Sequence, residues 1–173
     1  MPITSSDNYF EDFRVGAIYD HPRARTIDNA DNLWITHLTL NTAQVHFNLD
    51  YRQQMMGGIF AERLVMGAVT LALVVGLTSE DMSENAFMDL GMDEIKLSTP
   101  VYRDDTLYAS SEVLEVRDSE ERPDAGIVAY RFTGRNSDGA VVVQGKRTLL
   151  VKRRSHWAVA DGHGKELADE RNA

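Results

Sequence analysis

Leu64-Val65-Met66-Gly67-Ala68-Val69-Thr70-Leu71-Ala72-Leu73-Val74-Val75-Gly76-Leu77 carries almost no polar side chain and no charge. A helix that is apolar all round is buried on all sides. This stretch therefore predicts a central helix wrapped by the rest of the chain, with Gly67, Gly76 and the small residues allowing close backbone approach. It is too short to cross a bilayer, which takes about 20 apolar residues. The wrapping material follows it. After the polar stretch Ser79 to Glu84, four runs read as strands: Ala86–Thr99, Asp105–Val116, Gly126–Arg135 and Ala140–Lys152. Val128, Tyr130 and Phe132 alternate with Ala129, Arg131 and Thr133, the period of a strand with one buried face. Asn136-Ser137-Asp138-Gly139 supplies the positive φ that a tight hairpin needs.

Before the central helix the signals are shorter. Residues 1–8 form a polar lead, and Met1–Phe10 lacks the apolar core of a secretory leader. Val15–Tyr19 reads as a turn and a short strand. Asp28 or Asn29 caps a helix over about Ala30–Leu40, whose Leu33, Trp34, Ile35, Leu38 and Leu40 are expected to face inward. Asn41–Val45 reads as a turn off that helix, with Asn41 suited to a left-handed C-cap. Asp50 is placed to cap a short helical turn that Gly57-Gly58 would break. Ser155–Ala173 is polar and rich in glycine and charge, so a fraying tail is expected. The order of elements predicts an α+β domain over residues 9–154, a long helix packed into a curved antiparallel sheet. The open sheet edge favours pairing with a second copy, so a homodimer or higher homo-oligomer is expected.

Composition narrows the function. The chain has 173 residues, 43% hydrophobic and 26% charged, enough for one well-cored domain. A formal net charge of −9 argues against nucleic acid or an anionic membrane as partner. With no cysteine there is neither a disulfide nor a thiolate metal site, and no histidine spacing suggests a metal. A cytoplasmic domain is the expectation.

Several stretches together resemble the MaoC-like dehydratases, the hot-dog-fold (R)-specific enoyl-CoA hydratases. The likeness runs from about Tyr9 to Arg154. Tyr9-Phe10-Glu11-Asp12-Phe13 with Val15-Gly16 is similar to the family's opening, and Leu64-Val65-Met66-Gly67 to the segment whose glycine begins the central helix. Leu90–Lys96 and Pro100–Leu107 resemble the strand and corner that follow. Glu112–Arg117 and Arg122–Val128 are similar to a branch acting on short branched or dicarboxylic acyl-CoAs, of the mesaconyl- or itaconyl-CoA type. The family's Gly-Asp-x-Asn-Pro-Leu/Ile-His motif falls on Leu40–His46. His46 and the aliphatic Val45 match. Asn41 stands where the family has its catalytic Asp, Ala43 where it has Asn, and Gln44 where it has Pro.

The resemblance implies reversible addition of water across the α,β double bond of an enoyl-CoA thioester, with no cofactor besides the CoA carried by the substrate. A histidine accepts and returns a proton near neutral pH, which suits His46 to activate the water. A backbone N–H at a helix start carries positive partial charge, which suits Gly67 to hold the enolate oxygen. Asn41 cannot take a proton, but its amide can hold a water or an oxygen of the substrate. Val65, Met66 and Gln44 are the expected substrate contacts, and Met55-Met56 are packing residues or pocket walls. His37 shares a helix face with Asn41, with packing the expected role, whereas His21, His156 and His163 have no evident partners. Arg147, Lys152, Arg153 and Arg154 are a solvated strand end or charge for the CoA phosphates. Two other classes remain open: a hot-dog thioesterase using Glu62 or Asp50, and a non-catalytic acyl-CoA binder.

Overall fold

The computed structural model describes residues 8–51, 56–60 and 62–162. Met55 and His163 lie outside them, as does the helical turn expected after Asp50, apart from its first residue. Among the described residues six antiparallel strands form the sheet: β1 (Ile18–Asp20), β2 (Arg25–Thr26), β3 (Ala86–Leu97), β4 (Thr106–Asp118), β5 (Ala125–Arg135) and β6 (Val141–Lys152). Their order is β1-β4-β5-β6-β3, with β2 also paired to β4. The four long strands follow the sequence expectation to within two residues at each end. The Asn136–Gly139 hairpin forms as expected. Gly139 sits at φ 79° and its N–H donates to the Asn136 carbonyl at 2.9 Å. Register shifts interrupt the β3–β6, β4–β5 and β5–β6 pairings, the last skipping Val142 of β6.

Helix α2 (Gly67–Leu77) lies on the concave face against β4, β5 and β6. Its Val69 and Val74 join Phe13, Tyr19, Val128, Tyr130, Phe132 and Leu149 in the main core. Two expectations for the run 64–77 need correction. Leu64–Met66 are extended, because the Leu64 and Val65 N–H groups donate outward to the carbonyls of Val45 and Val101. Nor is the helix buried on every side. Ala68, Ala72 and Gly76, four residues apart on one stripe, are exposed. Edge strand β3 is exposed too, including Met88, Leu90, Ile95 and Leu97.

Helix α1 (Asn29–Leu38) begins as the sequence predicts. The Asp28 carboxylate accepts from the N–H groups of Ala30 and Asp31 at 2.6 and 3.0 Å, and Asp31 returns a bond to the Asp28 N–H, a capping box. Its inward face matches the expected one only in part: Ile35 packs against the main core and Leu33 is half-buried. Asn32 and Thr36 are buried, whereas Trp34, Leu38 and Leu40 are 71%, 78% and 85% exposed. The helix closes in a Schellman motif: Leu40 N–H donates to His37 O and Asn41 N–H to Thr36 O, both at 3.0 Å. Leu40, at φ 55°, takes the left-handed position, so Asn41 is the residue after the cap.

Helix α3 (Ser79–Met82) continues α2 and leads into β3. Packing also continues past the boundary expected at residue 154. Arg154–Trp157 form a helical turn, and Trp157 meets Phe87 edge-on at 5.1 Å between ring centres.

Candidate active site

The site is assembled from three chain segments held by the polar face of α1. The Schellman turn delivers Asn41, whose Oδ1 accepts from the Ala43 N–H at 2.9 Å while its Nδ2 donates to the Met66 Sδ at 3.0 Å. The chain then makes a 3-10 turn over Gln44–His46, which buries Val45 and His46. His46 Nδ1 lies 2.9 Å from the Leu64 carbonyl oxygen. A carbonyl can only accept, so Nδ1 carries the hydrogen and Nε2 presents its lone pair. Among the described residues Nε2 has no hydrogen-bond partner.

The third segment is Leu64–Gly67. Leu64 anchors His46, Met66 meets Asn41, and Gly67 opens α2, where the first N–H groups have no helical acceptor. A Cβ on Gly67 would lie 2.5 Å from Leu97 Cδ1, so glycine lets the end of β3 close over the helix start. Beside it runs a cleft of about 230 Å³ walled by Leu64, Val65, Gly67, Leu97 and Pro100. Four of the six residues expected at the site, His46, Asn41, Gly67 and Met66, are thus joined through one short stretch, and Val65 lines its cleft. Gln44 is different: it is exposed, and its Oε1 accepts from Asn48 Nδ2 at 2.6 Å.

The residue that sequence reasoning missed is Asn32. Its amide reaches the carbonyl oxygens of His46 and Leu64 and the N–H of Met66. The available signal was a pair of polar residues, Asn32 and Thr36, four apart on a helix that was otherwise read by its apolar side chains. A second cleft, of about 240 Å³, is walled by Asn32, Val65, Glu62, Arg63 and Arg103. Glu62 therefore lines this cleft and not the one at Gly67, and Asp50 is exposed.

The other expected residues are committed elsewhere. Arg147 is buried, not a solvated strand end. It is paired with Asp89 and donates to the Tyr130 hydroxyl at 3.0 Å. Burial alone would lower the Arg147 guanidinium, but Asp89 and Tyr130 outweigh it and leave it raised, while Arg147 holds the Asp89 carboxyl below its ordinary value. Lys152 pairs with Asp161, Arg153 with Asp118 and Arg154 with Asp12, so none of the four stands as a free cation for phosphate. His37 is exposed and stands against Phe47, with ring centres 5.3 Å apart, and His156 is exposed beside Ser155. His21, expected to lack partners, has two. Its Nδ1 lies 2.5 Å from Asp81 Oδ2 and its Nε2 lies 2.8 Å from Ser111 Oγ, all three residues being buried.

Comparison with known proteins identifies the family. The family profile described as mesaconyl-CoA hydratase matches residues 3–173. Beta-methylmalyl-CoA dehydratase of Chloroflexus aurantiacus is 31% identical over 166 residues, covering 87% of this chain and 46% of the relative. Mesaconyl-CoA hydratase of Haloarcula hispanica is 32% identical over 157 residues, covering 90% of this chain and 43% of the relative. The chain thus spans less than half the length of these curated relatives. The crystal structure of a putative MaoC domain protein dehydratase from Chloroflexus aurantiacus superposes with a TM-score of 0.77 at 28% identity, over 86% of this chain and 45% of that one. With its curved antiparallel sheet around a central helix, the chain is a hot-dog domain that belongs to the mesaconyl-CoA hydratase family of MaoC-like proteins.

Proposed function

We propose that this chain adds water reversibly across the α,β double bond of a short, branched or dicarboxylic enoyl-CoA thioester. The observation that carries the reading is the stretch Leu64–Gly67, which anchors His46 at one end and opens α2 at the other. In the proposed step the Gly67 N–H holds the thioester oxygen. His46 Nε2 takes a proton from water as the water oxygen bonds to Cβ, and the double-bond electrons move onto the thioester oxygen as an enolate. The imidazolium then returns the proton to Cα, and the carbonyl re-forms. Asn41 keeps one amide hydrogen and one carbonyl lone pair beyond its bonds to Met66 and Ala43, enough to orient that water. Val65 and Met66 wall the acyl group, with Gln44 at the outer end. No cofactor beyond the CoA of the substrate enters this scheme.

The assembly we propose is a homodimer or a higher homo-oligomer in the cytoplasm. A second copy would cover the exposed stripe of α2 and the edge of β3. Mesaconyl-, itaconyl- and crotonyl-CoA incubated with the protein test the chemistry. Loss of enoyl absorbance without free thiol is the expected result. Thiol release would make the protein a thioesterase, and binding without turnover a non-catalytic relative.

A further inference from the structure

We infer that Asn32 is a positioning residue whose side-chain amide sets the His46 proton carrier and the Gly67 oxyanion donor in one register. This rests on the hydratase reading above. Asn32 lies in the middle of α1 and is 6% exposed. Asparagine is a modest helix former, and burying an amide is costly unless its hydrogen bonds are made. Here both ends of the amide are used. Nδ2 donates to the His46 carbonyl at 2.9 Å and to the Leu64 carbonyl at 3.3 Å. Oδ1 accepts from the Met66 N–H at 3.0 Å and from the Thr36 hydroxyl at 3.4 Å.

Those partners are not a random set. Met66 is the residue before Gly67, so its N–H fixes the entry to α2. The Leu64 carbonyl is the same oxygen that pairs with His46 Nδ1 and thereby leaves Nε2 free. One planar group therefore ties down the histidine's backbone, the acceptor that selects its tautomer, and the start of the helix that offers the oxyanion N–H. Only a side chain with donor and acceptor on one short amide does all three. Aspartate keeps the acceptor for Met66 but turns a second oxygen toward two carbonyl oxygens, and leucine satisfies none of them.

Asn32→Asp in the full chain tests this with two readouts, steady-state hydration of the enoyl-CoA panel and the ring ¹⁵N shifts of His46, which report which nitrogen bears the hydrogen. The expected result is a fall in kcat of about 100-fold, the scale on which a misplacement of about 1 Å acts, with KM changed by less than about threefold. The His46 ring should pass from one Nδ1–H form to a mixture. An unchanged kcat and an unchanged tautomer in folded protein would overturn the inference and leave Asn32 as a fold residue. Should Asn32→Asp not fold, Asn32→Ser, which keeps a hydroxyl donor, is read by the same two criteria. Should the wild-type protein turn over none of the panel, the hydratase reading fails, and the tautomer comparison still decides what Asn32 positions.

Discussion

Two buried histidines divide the chemistry of this molecule. His21 has the geometry of a nucleophile–base–acid relay, with Ser111 Oγ 2.8 Å from one nitrogen and Asp81 Oδ2 2.5 Å from the other. His46 has one backbone carbonyl on Nδ1. By partner count His21 is the better-built site. Yet its side chain and that of Asp81 are 0% and 1% exposed. Both His21 nitrogens are spent, and the three residues join β1, the turn of helix α3 and strand β4. His46 has the reverse arrangement: one nitrogen is fixed, the other is open, and its anchor Leu64 lines the cleft at the helix start. A relay geometry alone does not make a catalyst. An unbonded ring nitrogen is the scarcer property, and it belongs to the histidine with fewer partners.

The sharpest test of this division is the closed relay. His21→Ala removes one partner of a buried pair and should cost about 3–5 kcal/mol of stability in urea titration, while kcat per folded molecule stays within about threefold. A large fall in kcat with unchanged stability would reverse the assignment of the two histidines. On the open side, Gly67→Ala places a methyl group against Leu97 at the cleft. Because Leu97 is exposed and its far end can move, stability should change little, whereas kcat/KM should fall about 30-fold, roughly 2 kcal/mol of transition-state binding. Ser111→Ala leaves His21 Nε2 without its hydroxyl and should cost about 1–2 kcal/mol in the same titration, with no kinetic effect. The smallest change belongs to the loop that carries Asn41. Leu40 holds a left-handed conformation with its side chain in solvent, at the position where the MaoC-like motif has glycine. Leu40→Gly should raise stability by about 0.5–1 kcal/mol, measured as a higher urea midpoint.

The same contrast explains what the sequence made legible. The strands of the sheet were visible because apolar residues recur along each run between turn signals, and the Asp138-Gly139 turn needs no distant partner. His46, Asn41 and Gly67 were visible through a motif and a helix start, both local features. The His21 network was not, because its partners lie 60 and 90 residues away and nothing near His21 announces them. Helix α1 was read with Trp34, Leu38 and Leu40 inward and without Asn32 and Thr36 for a physical reason. Apolar residues normally mark the buried side, but here the neighbours to be satisfied are backbone carbonyls and an N–H group of the site, which the Asn32 amide bonds while the Thr36 hydroxyl donates to Asn32. The central helix was expected to be sealed all round. Its stripe of Ala68, Ala72 and Gly76 is open in the single chain, since burial by another copy or another domain leaves the same apolar pattern as burial within one.

The most direct measurement is the disappearance of enoyl absorbance from mesaconyl-CoA with wild-type protein and His46→Ala, alongside circular dichroism and acyl-CoA binding for each. His46→Ala is expected to lose about 1,000-fold or more in kcat, within the range for a positioned acid–base group, while remaining folded and still binding the thioester. Turnover by His46→Ala close to that of the wild type would contradict that expectation.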